Sequence, residues 1–129
     1  MKTEIRTVAT DKAPGAIGPY SQGKIAGGFL YASGQIAIDP ATGEMVQGGI
    51  EEQTKRVMEN IAGLLEAAGV TFADVVKTTC FLADMGDFTV FNGIYGSYFT
   101  DKPARSCVAV KELPKGALCE VEIIAYTGE

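Results

Sequence analysis

The sequence predicts a two-layer α+β domain, with two helices covering one face of a mixed sheet of about six strands. Three observations lead there. Two amphipathic helical stretches lie among segments rich in β-branched residues. The order along the chain is strands, helix, strand, helix, two strands. The last strand alternates apolar and polar residues, so it has one face to bury and one to present elsewhere. Two helices suffice for a single face. The 129 residues read as one domain, 1–129, without linker, repeat or low-complexity segment, and a chain of this size buries roughly two-thirds of its unfolded surface.

Taken in order, 4–8 is a short strand candidate. Residues 11–22, with Pro14, Gly15, Gly18 and Pro19, form a loop rich in backbone constraints. Segments 24–26 and 29–33 flank Gly27-Gly28 and read as a hairpin, and 35–38 continues extended until 39–43 turns the chain. Ile50, Thr54, Val57, Met58, Ile61, Leu64, Leu65 and Ala68 recur at three- and four-residue steps, opposite Glu51, Glu52, Lys55, Arg56 and Glu59. That is a helix, stopped by Gly69. Residues 75–83 form a largely buried strand. Asp87 caps a second helix with Phe88, Phe91, Ile94, Tyr95 and Tyr98 on its apolar face. After Pro103, strands 105–110 and 118–126 follow, joined through Leu113-Pro114-Lys115-Gly116.

Strand parity assigns Cys119, Val121, Ile123 and Ala125 to the helix-covered face, with Leu118, Glu120, Glu122, Ile124 and Tyr126 on the other. By the same reading Ser106, Val108 and Val110 face the helices, leaving Arg105, Cys107 and Ala109 beside Glu120 on the open side. That open face is too apolar for water, so it is expected to pack against further subunits, with its polar members at the boundary.

Composition narrows the function. Hydrophobic residues make up 47% and charged residues 21%, as in a compact globular protein. The net charge of -5 repels nucleic-acid backbones and anionic lipid, and no run of Lys or Arg offsets it. No apolar stretch reaches membrane-spanning length and the N-terminus lacks a secretion signal, so a cytoplasmic location is expected. The three cysteines lack CxxC spacing and read as free thiols.

The chain contains no histidine. Proton transfer near neutral pH then falls to a carboxylate, thiol, tyrosine or water, and a zinc site would need carboxylate ligands. Neither metal nor cofactor is expected. GxSxG, Walker and dinucleotide-binding signatures are missing, and the aromatic residues are not interleaved with basic ones.

Arg105 reads either as a surface ion pair with Glu120 or Glu122, or as a bidentate clamp for a carboxylate or phosphate. Glu120 beside it would stay ionised and orient or activate water. Glu122 reads as a solvated strand position. Cys107 lacks an activating base, so it reads as a small apolar filler whose backbone N–H is available. Tyr20 lies outside any periodic core face and is either a loop anchor or a hydroxyl for a cleft.

Residues 13–23 (APGAIGPYSQG), Ser33-Gly34-Gln35-Ile36, Pro103-Ala104-Arg105-Ser106-Cys107-Val108, Leu113-Pro114-Lys115 and Glu120-Val121-Glu122 resemble, in order, the Rid (YjgF-like) imine/enamine deaminases. The resemblance spans nearly the whole chain. It implies a chorismate-mutase-like fold and a homotrimer with clefts between subunits. It further implies that Arg105 holds a substrate carboxylate, Glu120 holds the attacking water and Tyr20 closes the cleft. Cys107 and Gly34 match positions that contact ligand through backbone groups, and Ser33 and Asn92 match cleft or supporting positions. The implied activity is 2-iminobutanoate/2-iminopropanoate deamination to 2-keto acids and ammonia.

Two departures stand out. The stretch Phe99-Thr100-Asp101-Lys102 is shorter than in several members, and Lys111-Glu112 replaces a common Ala-Arg. Two rivals remain open: a non-catalytic trimer that binds small carboxylates as a regulator, and an endoribonuclease, against which the acidic charge and missing histidine weigh. Chorismate mutase activity rests on fold analogy alone and ranks last.

Overall fold

The computed structural model describes residues 4–129. Six strands, β1 (Arg6–Val8), β2 (Gly23–Ala26), β3 (Phe29–Ala32), β4 (Val75–Leu82), β5 (Ala104–Ala109) and β6 (Cys119–Tyr126), form one sheet with two helices, α1 (Ile50–Ala67) and α2 (Phe88–Tyr98). The strand order is β1-β2-β3-β6-β4-β5. Every pairing is antiparallel except β4 with β5, whose crossover is α2. The expected two-layer, mixed six-stranded fold is present.

The helix-facing side of β6 carries Cys119, Val121, Ile123 and Ala125, all essentially inaccessible, beneath Val57, Met58, Ile61, Leu64 and Leu65 of α1. Phe91 and Tyr95 close the core from α2. α1 ends where its apolar periodicity ends, and Gly69 follows at φ +77, a left-handed angle that glycine adopts without a Cβ penalty.

Segment 35–38 does not form a strand. Gln35 exchanges backbone bonds with Val121 (2.8 and 3.1 Å), and Ile38 makes one bridge to Met45. Between them the buried Asn60 of α1 donates through Nδ2 to the carbonyls of Ile36 (3.1 Å) and Ile38 (3.0 Å), doing the work of a neighbouring strand. Asp87 precedes α2 without a side-chain cap bond. Asp84 instead accepts from Gly86 N at 2.7 Å and closes the 3-10 turn Met85–Asp87 that leads into the helix. The short side chain of Asp84 reaches the turn's free N–H first.

The parity of β5 is the main correction. Arg105, Cys107 and Ala109 pair with Thr78, Cys80 and Leu82, whose side chains are buried on the helix side. Glu120 pairs with Phe81 on the opposite side. Arg105 and Cys107 therefore do not share a face with Glu120. β5 is an edge strand paired only with β4, and Val108 is 47% exposed. With neither face of β5 fully covered, its alternation carries no inside–outside signal.

Candidate active site

The open side of β6 places Glu120 over Gly34, in the segment that follows β3. The Gln35–Val121 bridge fixes this approach. A Cβ on Gly34 would come within 2.8 Å of Glu120 Cδ, so only glycine leaves room for the carboxylate. The two residues line a cavity of about 420 Å³ with Tyr20, Ile17, Ile36 and Lys115.

Tyr20 comes from the glycine-proline loop. Gly18 adopts φ +133 and Tyr20 N donates to its carbonyl at 2.9 Å, which turns the 54%-exposed ring toward the cavity. Buried Gln22 ties the loop down: its Oε1 accepts from Thr10 N (2.7 Å) and its Nε2 donates to the carbonyls of Thr10 (3.0 Å) and Pro14 (2.7 Å). Ser33 Oγ donates to Ser21 O at 2.6 Å, so this side chain supports the loop from behind.

Burial raises the Glu120 pKa above the ordinary carboxylate value, and the neighbouring charge of Glu122 raises it further. Among the described residues no salt bridge uses Glu120. The expected arginine neighbour is on the other face. Glu120 is thus a partly desolvated carboxylate that accepts a proton more readily than a solvated one.

Arg105 is held at the sheet edge by α2. Its Nη1 donates to Asn92 Oδ1 at 2.7 Å, and its Cζ lies 4.7 Å from the ring centroid of Tyr95 and 5.6 Å from that of Phe88. Tyr95 is itself fixed by a 2.7 Å bond between its hydroxyl and that of Thr78. One hydrogen bond and two aromatic faces hold the guanidinium plane, leaving Nε and Nη2 for an anion. Arg105 and Asn92 line a second cavity, of about 490 Å³.

Cys107 lies beside buried Cys80 across the β4–β5 ladder. Burial pushes its thiol pKa up, against smaller lowering by Arg105 and a hydrogen bond with Cys80. Cys80 is pushed up to about 12, again by burial first. These thiols stay protonated at neutral pH and are poor nucleophiles.

The seven sequence-predicted residues therefore divide. Tyr20, Gly34 and Glu120 gather in one cavity; Arg105 and Asn92 gather in the other, with Cys107 on the same strand face; Ser33 stands behind the first. Sequence reasoning missed Tyr95 and Phe88 as the platform under Arg105, and Gln22 and Asn60 as anchors of the cleft wall. Asn60 did carry a signal, being an amide amid the apolar stripe of α1.

Comparison with known proteins adds the family. Residues 10–127 match the family model described as Endoribonuclease L-PSP. The chain is 54% identical to a RutC family protein of Pyrococcus abyssi, over 92% of this chain and 94% of that one. It is 48% identical to the human 2-iminobutanoate/2-iminopropanoate deaminase, over 95% and 90%. A crystal structure of a Rid-family protein of Yersinia pestis superposes with a TM-score of 0.93 at 48% identity, covering 95% and 99%. With its whole fold and nearly its whole length matched, the chain belongs to the Rid (YjgF/RutC) family.

Proposed function

We propose that this protein hydrolyses 2-imino acids, the tautomers of 2-aminoacrylate and 2-aminocrotonate, to 2-keto acids and ammonia. The observation that carries the reading is the pair of half-sites: an unpaired, proton-accepting Glu120 against Gly34 and Tyr20, and an aromatically fixed Arg105 at an open sheet edge. Similarity to deaminases at 46–48% identity supports the same chemistry.

Because the half-sites lie on opposite faces, the working site requires two copies of the chain. β5 of one copy brings Arg105 to the Glu120 cavity of the next. A heterologous contact whose rotation closes forms a ring, and the ring proposed here is a homotrimer with three interfacial clefts. The exposed Tyr31, Val108 and Tyr126 supply apolar surface for the assembly.

In the assembled cleft Arg105 pairs with the substrate carboxylate and fixes the imine carbon. Glu120 accepts a proton from water as the water oxygen attacks that carbon. The imine nitrogen takes up a proton, the resulting carbinolamine loses ammonia, and the carbonyl forms. Tyr20 shields the cleft, and backbone groups near Gly34 and Cys107 hold the ligand. An imine is already electrophilic, and protonation makes it more so. Catalysis then needs orientation and one base.

The test is ammonia release from enzymatically generated 2-aminoacrylate. Arg105→Ala and Glu120→Gln are each expected to lower the rate about a hundredfold or more. Glu120→Gln should still bind a keto acid. Because Glu120 must be ionised to act and burial raises its pKa, kcat/KM of the parent should fall with decreasing pH at a higher pH than for an ordinary glutamate. Parent-like rates in either variant would return these residues to structural roles.

A further inference from the structure

We propose that Lys102 is a specificity residue, and that it turns the arginine pocket toward 2-imino acids bearing a second carboxylate at the end of a short side chain. This rests on the deaminase reading and names its substrate class.

The connection from α2 to β5 is short, and Lys102 occupies it at φ 54. Its N–H donates to Phe99 O at 3.2 Å, closing the turn on a buried phenylalanine. Glycine or asparagine adopts this left-handed angle more readily than lysine does, and the following Pro103 restricts the residue further. Backbone preference therefore gives no reason for a lysine here, while the turn holds it at the pocket.

The charge pattern of that 490 Å³ cavity supplies a reason. Lys102 and Arg105 are the basic residues on its wall, and no aspartate or glutamate lines it. Among the described residues neither cation takes part in a salt bridge. In a chain with sixteen acidic and eleven basic residues, this is a local reversal of sign. Two basic residues on one cavity wall favour an anion there.

The two cations differ in kind. Arg105 is fixed by Asn92, Tyr95 and Phe88, and its remaining donors suit one carboxylate held bidentately. Lys102 is a point charge on a flexible stem, suited to an end group whose distance varies with chain length. With the α-carboxylate on Arg105, Lys102 reads a distal carboxylate. Four- and five-carbon imino diacids fit that description.

The experiment uses the full chain, with Lys102→Gly, which suits the left-handed turn, and Lys102→Arg, which keeps the charge. Calorimetry compares 2-oxoglutarate with 2-oxobutanoate, and turnover compares 2-iminosuccinate with 2-iminopropanoate generated in situ. Lys102→Gly is expected to lower the diacid-to-monoacid ratio about tenfold in affinity and in kcat/KM, and Lys102→Arg to retain most of it. An unchanged ratio, or equal weakening toward both ligands, overturns the assignment. A Lys102-dependent diacid preference in binding without turnover of any imine supports it while overturning the deaminase reading.

Discussion

Gly34 shows how one missing Cβ leaves room for the proposed base. Any larger residue must displace the Glu120 side chain, because the hypothetical Cβ meets Glu120 Cδ at 2.8 Å and Cγ at 3.1 Å. The obstacle is the far end of a flexible side chain, and Gly34 is not among the positive-φ glycines. Gly34→Ala should therefore fold normally, with Tm within about 5 °C of the parent, since strain of this kind stays on the order of 1 kcal/mol. If Glu120 is the base proposed above, kcat should fall about tenfold or more as its carboxylate is displaced. Thermal melts and ammonia-release kinetics on the same preparation check this, and a variant with parent-like kcat would show that Glu120 needs no such placement. Arg105 is positioned by different means: Asn92 and the Tyr95 ring fix it, and Thr78 fixes Tyr95.

Among the elements, helices and central strands were legible in the sequence because each has one face that must be dry. α1 and β6 show the 3.6- and 2-residue periods that follow. Legibility failed at β5 and at 35–38, where burial does not impose a period. β5 is an edge, and 35–38 is held by isolated bridges at Gln35 and Ile38 and by a buried amide from a helix more than twenty residues away. The resemblance named Arg105 and Glu120, but local parity could not tell which face Arg105 takes. Tyr95 was legible as a core residue, while its contact with Arg105 depends on the β4–α2–β5 crossover. The role given to Asn60 is testable. Asn60→Ala leaves the Ile38 carbonyl without its donor and the Ile36 carbonyl with only the Ile38 N–H, and a loss of about 1–3 kcal/mol in urea unfolding is expected. Asn60→Asp keeps the shape but removes the donors, so it should destabilise comparably and raise KM as the Ile36 wall loosens. An Asp variant as stable as the parent would remove Asn60 from this account.

For the whole molecule, the deciding fact is that Arg105 and Glu120 stand on opposite sides of one sheet. The open backbone edge of β5 and the exposed Tyr31, Val108 and Tyr126 are features that monomers usually cover or avoid. If each cleft takes its arginine from one copy and its glutamate from the next, two inactive variants complement each other. Arg105→Ala supplies an intact glutamate and Glu120→Gln an intact arginine. Unfolding and refolding an equimolar mixture should give rings in which about a quarter of the interfaces carry both intact residues, by random assortment around a closed ring. Ammonia release should then recover to about a quarter of the parent rate, from two proteins that are each nearly inactive alone. Mixing without subunit exchange should recover nothing, which controls for residual activity. A site contained within one chain predicts no recovery under either condition, so the refolded mixture decides between one-copy and two-copy catalysis.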